Sequence, residues 1–276
     1  MIYPREFQRP LRIPERVQLG IAKPCIARAG EKGSWTLEFI LAENVSQDQR
    51  ILFYAYGGRN NKGVWKNLQI DDPSRDGYVS LSVASTGDEL KPIEISDDGG
   101  IISFELTDEL RRGEKIIAEL NEVIAPKFSL PNKFFLLLTS SPKERLVKPV
   151  LFGETLKRIV GACLIHIVGN KIDHIRAYAK SQAVVGKEIS ILVRPEDKYG
   201  NVASEELGPL IVRVNGKEIQ TKRSPIKDSA CCILEGVTLP RPGIYRLEIE
   251  DLSRGLKATT NPIRCYAKPP SLKILW

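Results

Sequence analysis

Apolar and polar residues alternate with a period of two along most of this chain. Trp35, Leu37 and Phe39 are interleaved with Thr36, Glu38 and Ile40, as in a strand with one buried face. The next apolar run, residues 51–56, is closed by Gly57-Gly58. Strand patterns follow at residues 64–70, 78–83, 101–106, 115–120 and 134–139. Between them stand Asp-Pro, Asp-Gly and Gly-Gly pairs, whose backbone preferences mark turns. Residues 107–113 predict one helical turn, capped by Thr107 and ended by Gly113. No long amphipathic helix is predicted.

Periodicity fades and charge rises at residues 140–160, around Pro142 and Pro149, which predicts a linker. Alternation resumes at 162–168, 172–178, 187–193, 210–214, 231–234 and 245–249. Asp197-Lys198-Tyr199-Gly200-Asn201 reads as a turn, because Asp accepts local backbone hydrogen bonds and Gly or Asn takes positive φ. Pro242-Gly243-Ile244-Tyr245 has the layout of a tyrosine corner. The expectation is an all-β chain of two tandem β-sandwich, immunoglobulin-like domains. Residues 1–20, with Pro4, Pro10 and Pro14 among four arginines, form an extended arm. Residues 21–150 form the first domain, 151–268 the second, and 269–276 a tail leading to a following domain.

Length and composition fit this picture: 276 residues, 42% hydrophobic and 27% charged, support two real cores. The longest apolar runs, 159–168 and 134–138, fall far short of the roughly 20 residues of a membrane helix. The first residues lack a signal-peptide layout, so a cytoplasmic location is expected. Five irregularly spaced cysteines suit reduced, packed thiols better than a disulfide framework. Residues 1–150 carry 21 Lys and Arg against 21 Asp and Glu, so the net charge of +7 belongs to residues 151–276. That asymmetry raises the question of an acidic partner for the second domain.

The second domain resembles the immunoglobulin-like repeats of bacterial surface proteins and of filamins, through Asp197–Asn201 and Pro242–Tyr245. Over nearly the whole chain the order of signals is Gly33-Ser34-Trp35-Thr36, Gly57-Gly58, Asp71-Asp72-Pro73 with Gly77-Tyr78-Val79, Ala183-Val184-Val185-Gly186, Asp197–Asn201, Thr260-Asn261-Pro262-Ile263 and Ile274-Leu275-Trp276. This resembles the front part of a family of large microbial proteins in which β-sandwich domains precede a hydrolase-like domain of the polymerase-and-histidinol-phosphatase type. The resemblance implies that the metal-binding histidines belong to a segment following Trp276, and that the catalytic domain is this chain's partner.

Within the chain itself no catalytic, cofactor or metal residue is predicted. His166 and His174 are the two histidines, and Cys163 and His166, three apart, fall on opposite faces of a strand. The most site-like segment is Gly57–Gly63, where Arg59, Asn60, Asn61 and Lys62 with Trp65 form a candidate ligand loop for a sugar or an anion. It leads into a strand pattern rather than a helix, so it lacks the N-terminal donors of a phosphate loop. Neither membrane nor nucleic acid is expected as a partner. The expected function is a non-catalytic accessory or substrate-orienting region of a multidomain metal-dependent hydrolase. The alternative is an independent binding module for carbohydrate or an anionic polymer.

Overall fold

In the computed structural model the chain is described at residues 13–55, 65–96, 99–143 and 158–268. Those residues fold as strands and turns without a helix. The chain divides into two units, Met1–Ile167 and Val168–Trp276.

The first unit is built from β1 (Ile21–Lys23), β2 (Ile26–Arg28), β3 (Lys32–Ile40), β4 (Arg50–Ala55), β5 (Val79–Val83), β6 (Lys91–Ile95), β7 (Ile101–Glu105), β8 (Lys115–Ile124), β9 (Leu130–Ser140) and β10 (Ile159–Val168). A four-stranded sheet, β1-β3-β8-β5, faces a six-stranded one, β2-β10-β9-β4-β7-β6. The alternation of β3 buries Trp35, Leu37 and Phe39. Phe39 meets Phe53 of β4 edge-on at 6.3 Å, and Phe53 stacks on Phe135 of β9 at 5.5 Å. These contacts join the two inner faces into a sandwich core. Leu52 and Tyr54 point the other way from β4. They belong to a second cluster with Val17, Leu136, Leu138 and Ile159.

The second unit holds β11 (His174–Ala179), β12 (Gln182–Val184), β13 (Glu188–Glu196), β14 (Leu210–Val214), β15 (Lys217–Ile219), β16 (Lys222–Pro225), β17 (Cys232–Thr238), β18 (Gly243–Tyr245), β19 (Glu248–Asp251), β20 (Leu256–Thr259) and β21 (Ile263–Tyr266). Its sheets run β11-β13-β17-β16, β12-β21-β18 and β15-β14-β19-β20. The last two are nearly one. β18 and β19 are consecutive, as are β20 and β21, and reciprocal hydrogen bonds bridge the break. Leu247 N donates to Thr260 Oγ1 at 3.0 Å, and Thr260 N donates to the Leu247 carbonyl at 2.9 Å. Ile191, Val193, Val212, Leu234, Leu247, Ile249 and Ile263 fill the core between the layers.

Several expectations are corrected. Residues 162–168 do not open the second unit, because β10 pairs antiparallel with β9 and belongs to the first. Its near-continuous apolar run is that of a strand buried on both faces, as its first five residues are. The boundary therefore falls near residue 168 instead of 150. Residues 64–70 form no strand where they are described. Lys66 and Gln69 make isolated bridges, and Asn67 between them takes φ of 57°. Asn67 instead stitches the loop, donating Nδ2 to the Glu122 carbonyl and accepting from Ile124 N. No helical turn forms at 107–113, where Leu110 bridges to Val45.

The expected arm at 1–20 is described from residue 13, and that part lies on the first unit. Val17 is buried, Leu19 bridges Ala162, and Arg16 donates to the Ile159 carbonyl. The expected tail at 269–276 lies outside the described residues.

Candidate interaction surface

Arg59, Asn60, Asn61 and Lys62 of the candidate ligand loop lie outside the described residues. Trp65 is described, and it is a core side chain, 1% exposed. Its indole packs edge-on to Trp35 at 4.9 Å and against Phe135 at 5.0 Å. A sugar platform needs an open ring face, and Trp65 presents none. Cys163 is buried while His166 is exposed, so the two share no site. Burial pushes the Cys163 thiol up to about 12, with Glu38 adding to the shift, so it is protonated and unreactive at neutral pH. Among the described residues no group of three or more His, Cys, Asp or Glu side chains is placed to hold a metal ion.

Chemistry does converge on one face of the second unit, and it starts from the Asp197–Asn201 turn. Asp197 is fully buried. Its Oδ1 accepts from the backbone N–H groups of Tyr199 and Asn201, and its Oδ2 from Asn170 N and Asn201 Nδ2. Burial alone would raise this carboxyl, but the four hydrogen bonds outweigh it and hold the group below its ordinary value. The turn so fixed, with Gly200 at φ of 82°, presents the Gly200 carbonyl to Arg194, whose guanidinium donates to it at 3.0 Å.

Arg194 lies directly opposite Arg176 in the β11–β13 register, with His174 opposite Glu196 one step along the same face. Two like charges paired across strands repel. The carboxylate of Glu196, its side chain only 5% exposed, holds them together. Oε1 lies 3.0 Å from Arg194 Nε, as an ion pair off hydrogen-bond alignment, and Oε2 lies 2.9 Å from Arg176 Nε. His174 Nε2 is 3.0 Å from the same Oε2, and its Nδ1 is 3.1 Å from Asp173 Oδ2. Glu196, followed by the Tyr178 phenol, raises the Arg176 guanidinium above its ordinary value. The next row across the face is apolar: Tyr178 pairs with Leu192, and Leu192 with Ile233. Tyr178 is 42% exposed, and Leu192 and Ile233 are half-buried.

The arrangement contains no nucleophile with a base. It offers planar donors and an aromatic edge, the chemistry of binding. Of these residues, sequence reasoning weighed only His174 and the turn. Arg176, Tyr178, Arg194 and Glu196 stand on alternate positions of two strands, and only the register of those strands brings them together.

No family model matches the chain. It is similar to an uncharacterised protein of Chlamydia trachomatis serovar D, 23% identical over 280 residues, which cover 92% of this chain and 41% of that protein. It is also similar to one of Chlamydia pneumoniae, 24% identical over 262 residues, covering 88% and 40%. The chain thus spans about two fifths of the length of these relatives. Among solved structures, Yersinia pseudotuberculosis InvD aligns with 90% of this chain and 57% of its own, at 10% identity and a TM-score of 0.39. A putative membrane-anchored protein of Corynebacterium diphtheriae aligns with 93% and 54%, at 12% identity and a TM-score of 0.31. The all-β architecture itself stands on the strand pairings above.

Proposed function

We propose that this chain is a binding and supporting region of a larger protein, in which it orients substrate or partner and carries no catalysis of its own. The observation that carries this is the extent of the match to its relatives. Nearly all of the two-sandwich chain aligns, yet it accounts for only 41% of the Chlamydia trachomatis protein. In this reading the larger activity is a metal-dependent hydrolysis, which rests on the resemblance to microbial proteins that join such sandwiches to a hydrolase-like domain.

The test uses that relative in two forms, complete and lacking the segment that aligns with this chain. Metal content and hydrolysis of p-nitrophenyl phosphate are measured for both. An accessory region predicts that the shortened form keeps its metal but shows a changed KM or stability. Identical kinetics and melting for the two forms would count against it. A complete relative with neither metal nor activity would remove the hydrolase while leaving the binding region.

A second reading, an independent binding module for carbohydrate or an anionic polymer, is favoured by the Arg176–Arg194 pair and the basic balance of the second unit. Titration of the isolated chain with oligosaccharides and heparin fragments tests it, since the accessory reading predicts no saturable binding to either.

A further inference from the structure

We propose that the exposed face formed by β11, β13 and β17 is a docking surface for an acidic protein segment, one in which carboxylate and aliphatic or aromatic side chains take turns at every second position, so that both lie on one face of the extended segment.

Charge complementarity sets the first requirement. Arg176 and Arg194 are opposed in register and share one carboxylate, Glu196. Three formal charges sit together with one positive charge in excess, and the carboxylate is buried beneath the two guanidinium groups. Their Nε atoms face Glu196, and one terminal nitrogen of Arg194 is committed to Gly200. The side chain of Arg176 remains 58% exposed and that of Arg194 36%. A carboxylate arriving from solvent completes a two-guanidinium, two-carboxylate cluster and relieves the repulsion between the opposed arginines. The same balance holds for the whole unit, since residues 168–276 carry 18 Lys and Arg against 12 Asp and Glu.

The apolar row sets the second requirement. Tyr178, Leu192 and Ile233 cross three adjacent strands beside the arginines. An exposed Tyr and two Arg next to half-buried aliphatic side chains have the composition of an interface centre. Side chains on an extended segment are about two residues apart on one face, the same spacing as the rows of the sheet, so carboxylate and apolar groups can fall on the two rows in turn.

A long polyanion fits less well. Glu235, held by Ser224 at 3.0 Å, lies beyond Ile233 on the same face, and Asp173 lies beside His174 at the other end. Uniformly spaced negative charges would run onto both. A nucleic acid also needs a longer basic track with stacking platforms, which this face lacks.

This inference is independent of any hydrolase. Its test measures fluorescence anisotropy of a labelled heptapeptide, Glu-Ser-Leu-Ser-Glu-Ser-Leu, which sets Glu and Leu in turn on one face, against the full chain at about 50 mM salt, where surface charges are weakly screened. The same heptapeptide with Lys in place of Glu, a heparin oligosaccharide and single-stranded DNA serve as comparison probes. The expected result is saturable binding of the Glu/Leu peptide alone, weakened at least tenfold by Arg176→Gln and by Tyr178→Ser. Arg213→Gln is the control. It removes a cation paired with Glu250 on the other sheet, and binding should be unchanged. Far-UV spectra and melting of each variant confirm folding, and Arg194→Lys gives a second, charge-conserving variant that should weaken binding without touching Arg176. Absence of saturable Glu/Leu binding overturns the proposal. So does an equal loss in Arg213→Gln, which would indicate bulk charge alone, or tighter binding of heparin or DNA lost with Arg176→Gln, which would make the face a polyanion site.

Discussion

The hydroxyl of Tyr245 donates a hydrogen bond of 2.9 Å to the carbonyl oxygen of Arg241, four residues upstream. The ring is buried, while Ile244 beside it is 68% exposed. Tyr245 therefore ties the entry of β18 to the preceding loop as well as filling the core. Replacing it by Phe keeps the ring and deletes the bond, leaving the Arg241 carbonyl to solvent. The expected cost is about 1 kcal/mol, with a fall in melting temperature of roughly 4–8 °C for a unit of this size. A calorimetric scan checks it, and an unchanged transition would show that the bond contributes nothing.

That corner was legible because its chemistry is local: Pro242, Gly243 and Tyr245 stand within four positions of each other. The Asp197–Asn201 turn was legible for the same reason, and the structure adds what it supports, the guanidinium of Arg194. Strand type was legible wherever one face is buried, as in β3. Pairing was not. β10 is apolar on both faces, so its periodicity carried no sign of which neighbour it joins, and the domain boundary was misplaced with it. The Gly- and Asn-rich stretch before Trp65 suggests an exposed loop, whereas the indole turns inward onto Trp35 and Phe135. The Arg176–Arg194–Glu196 cluster depends wholly on register and so had no signature in the linear chain.

Asp197 makes the second unit acid-sensitive. Its folded-state pKa is lowered below the ordinary 3.8 by hydrogen bonds that overcome its burial. A depressed carboxylate stabilises above the unfolded pKa, and that stabilisation is lost as pH falls through the folded one. Stability should therefore hold down to about pH 4 and decline below it. Asp197→Asn turns one acceptor into a donor facing two N–H groups. It should cost about 2–3 kcal/mol at neutral pH and flatten the acid limb. Urea titrations from pH 3 to pH 7 decide this. An acid limb unchanged in the variant would assign the acid sensitivity to other carboxylates.

Glu196 holds two arginines that repel each other, so its removal should be costlier than that of either partner. Glu196→Gln leaves the opposed guanidinium groups with a neutral amide between them. The loss should be about 3 kcal/mol, in the range found when one member of a buried ion pair is deleted. Arg176→Gln, at a side chain 58% exposed, should lower stability far less. Equal losses in the two variants would show that Glu196 does not organise the cluster.

Trp65→Ala should open a large cavity beside Trp35 and Phe135. Aromatic-to-Ala changes in a core cost about 3–5 kcal/mol, and the partial collapse of neighbours sets where in that range the loss falls. Both described tryptophans belong to the first unit, so the remaining emission of Trp35 should report an early transition of that unit. Little change in the midpoint would show that Trp65 is not a core residue and would reopen it as a binding surface.

Two glycines separate backbone strain from steric overlap. Gly77 and Gly87 both take positive φ, 89° and 78°. A Cβ on Gly87 would meet open space, so Gly87→Ala should cost only the left-handed conformation, about 1–2 kcal/mol. A Cβ on Gly77 would lie 1.7 Å from the Asn67 carbonyl oxygen. The backbone there is pinned on both sides, since Gly77 N donates to Asn121 at 2.6 Å and its carbonyl accepts from Gln69 N at 2.9 Å. Asn67 is itself bound to Glu122 and Ile124 and cannot retreat without breaking those bonds. Gly77→Ala should therefore cost more than about 4 kcal/mol, the range reserved for specific structural conflicts. Denaturant midpoints followed by tryptophan emission compare the two variants directly. Similar losses would mean that the 67–77 loop relaxes freely, and that Asn67 does not clamp it to β8.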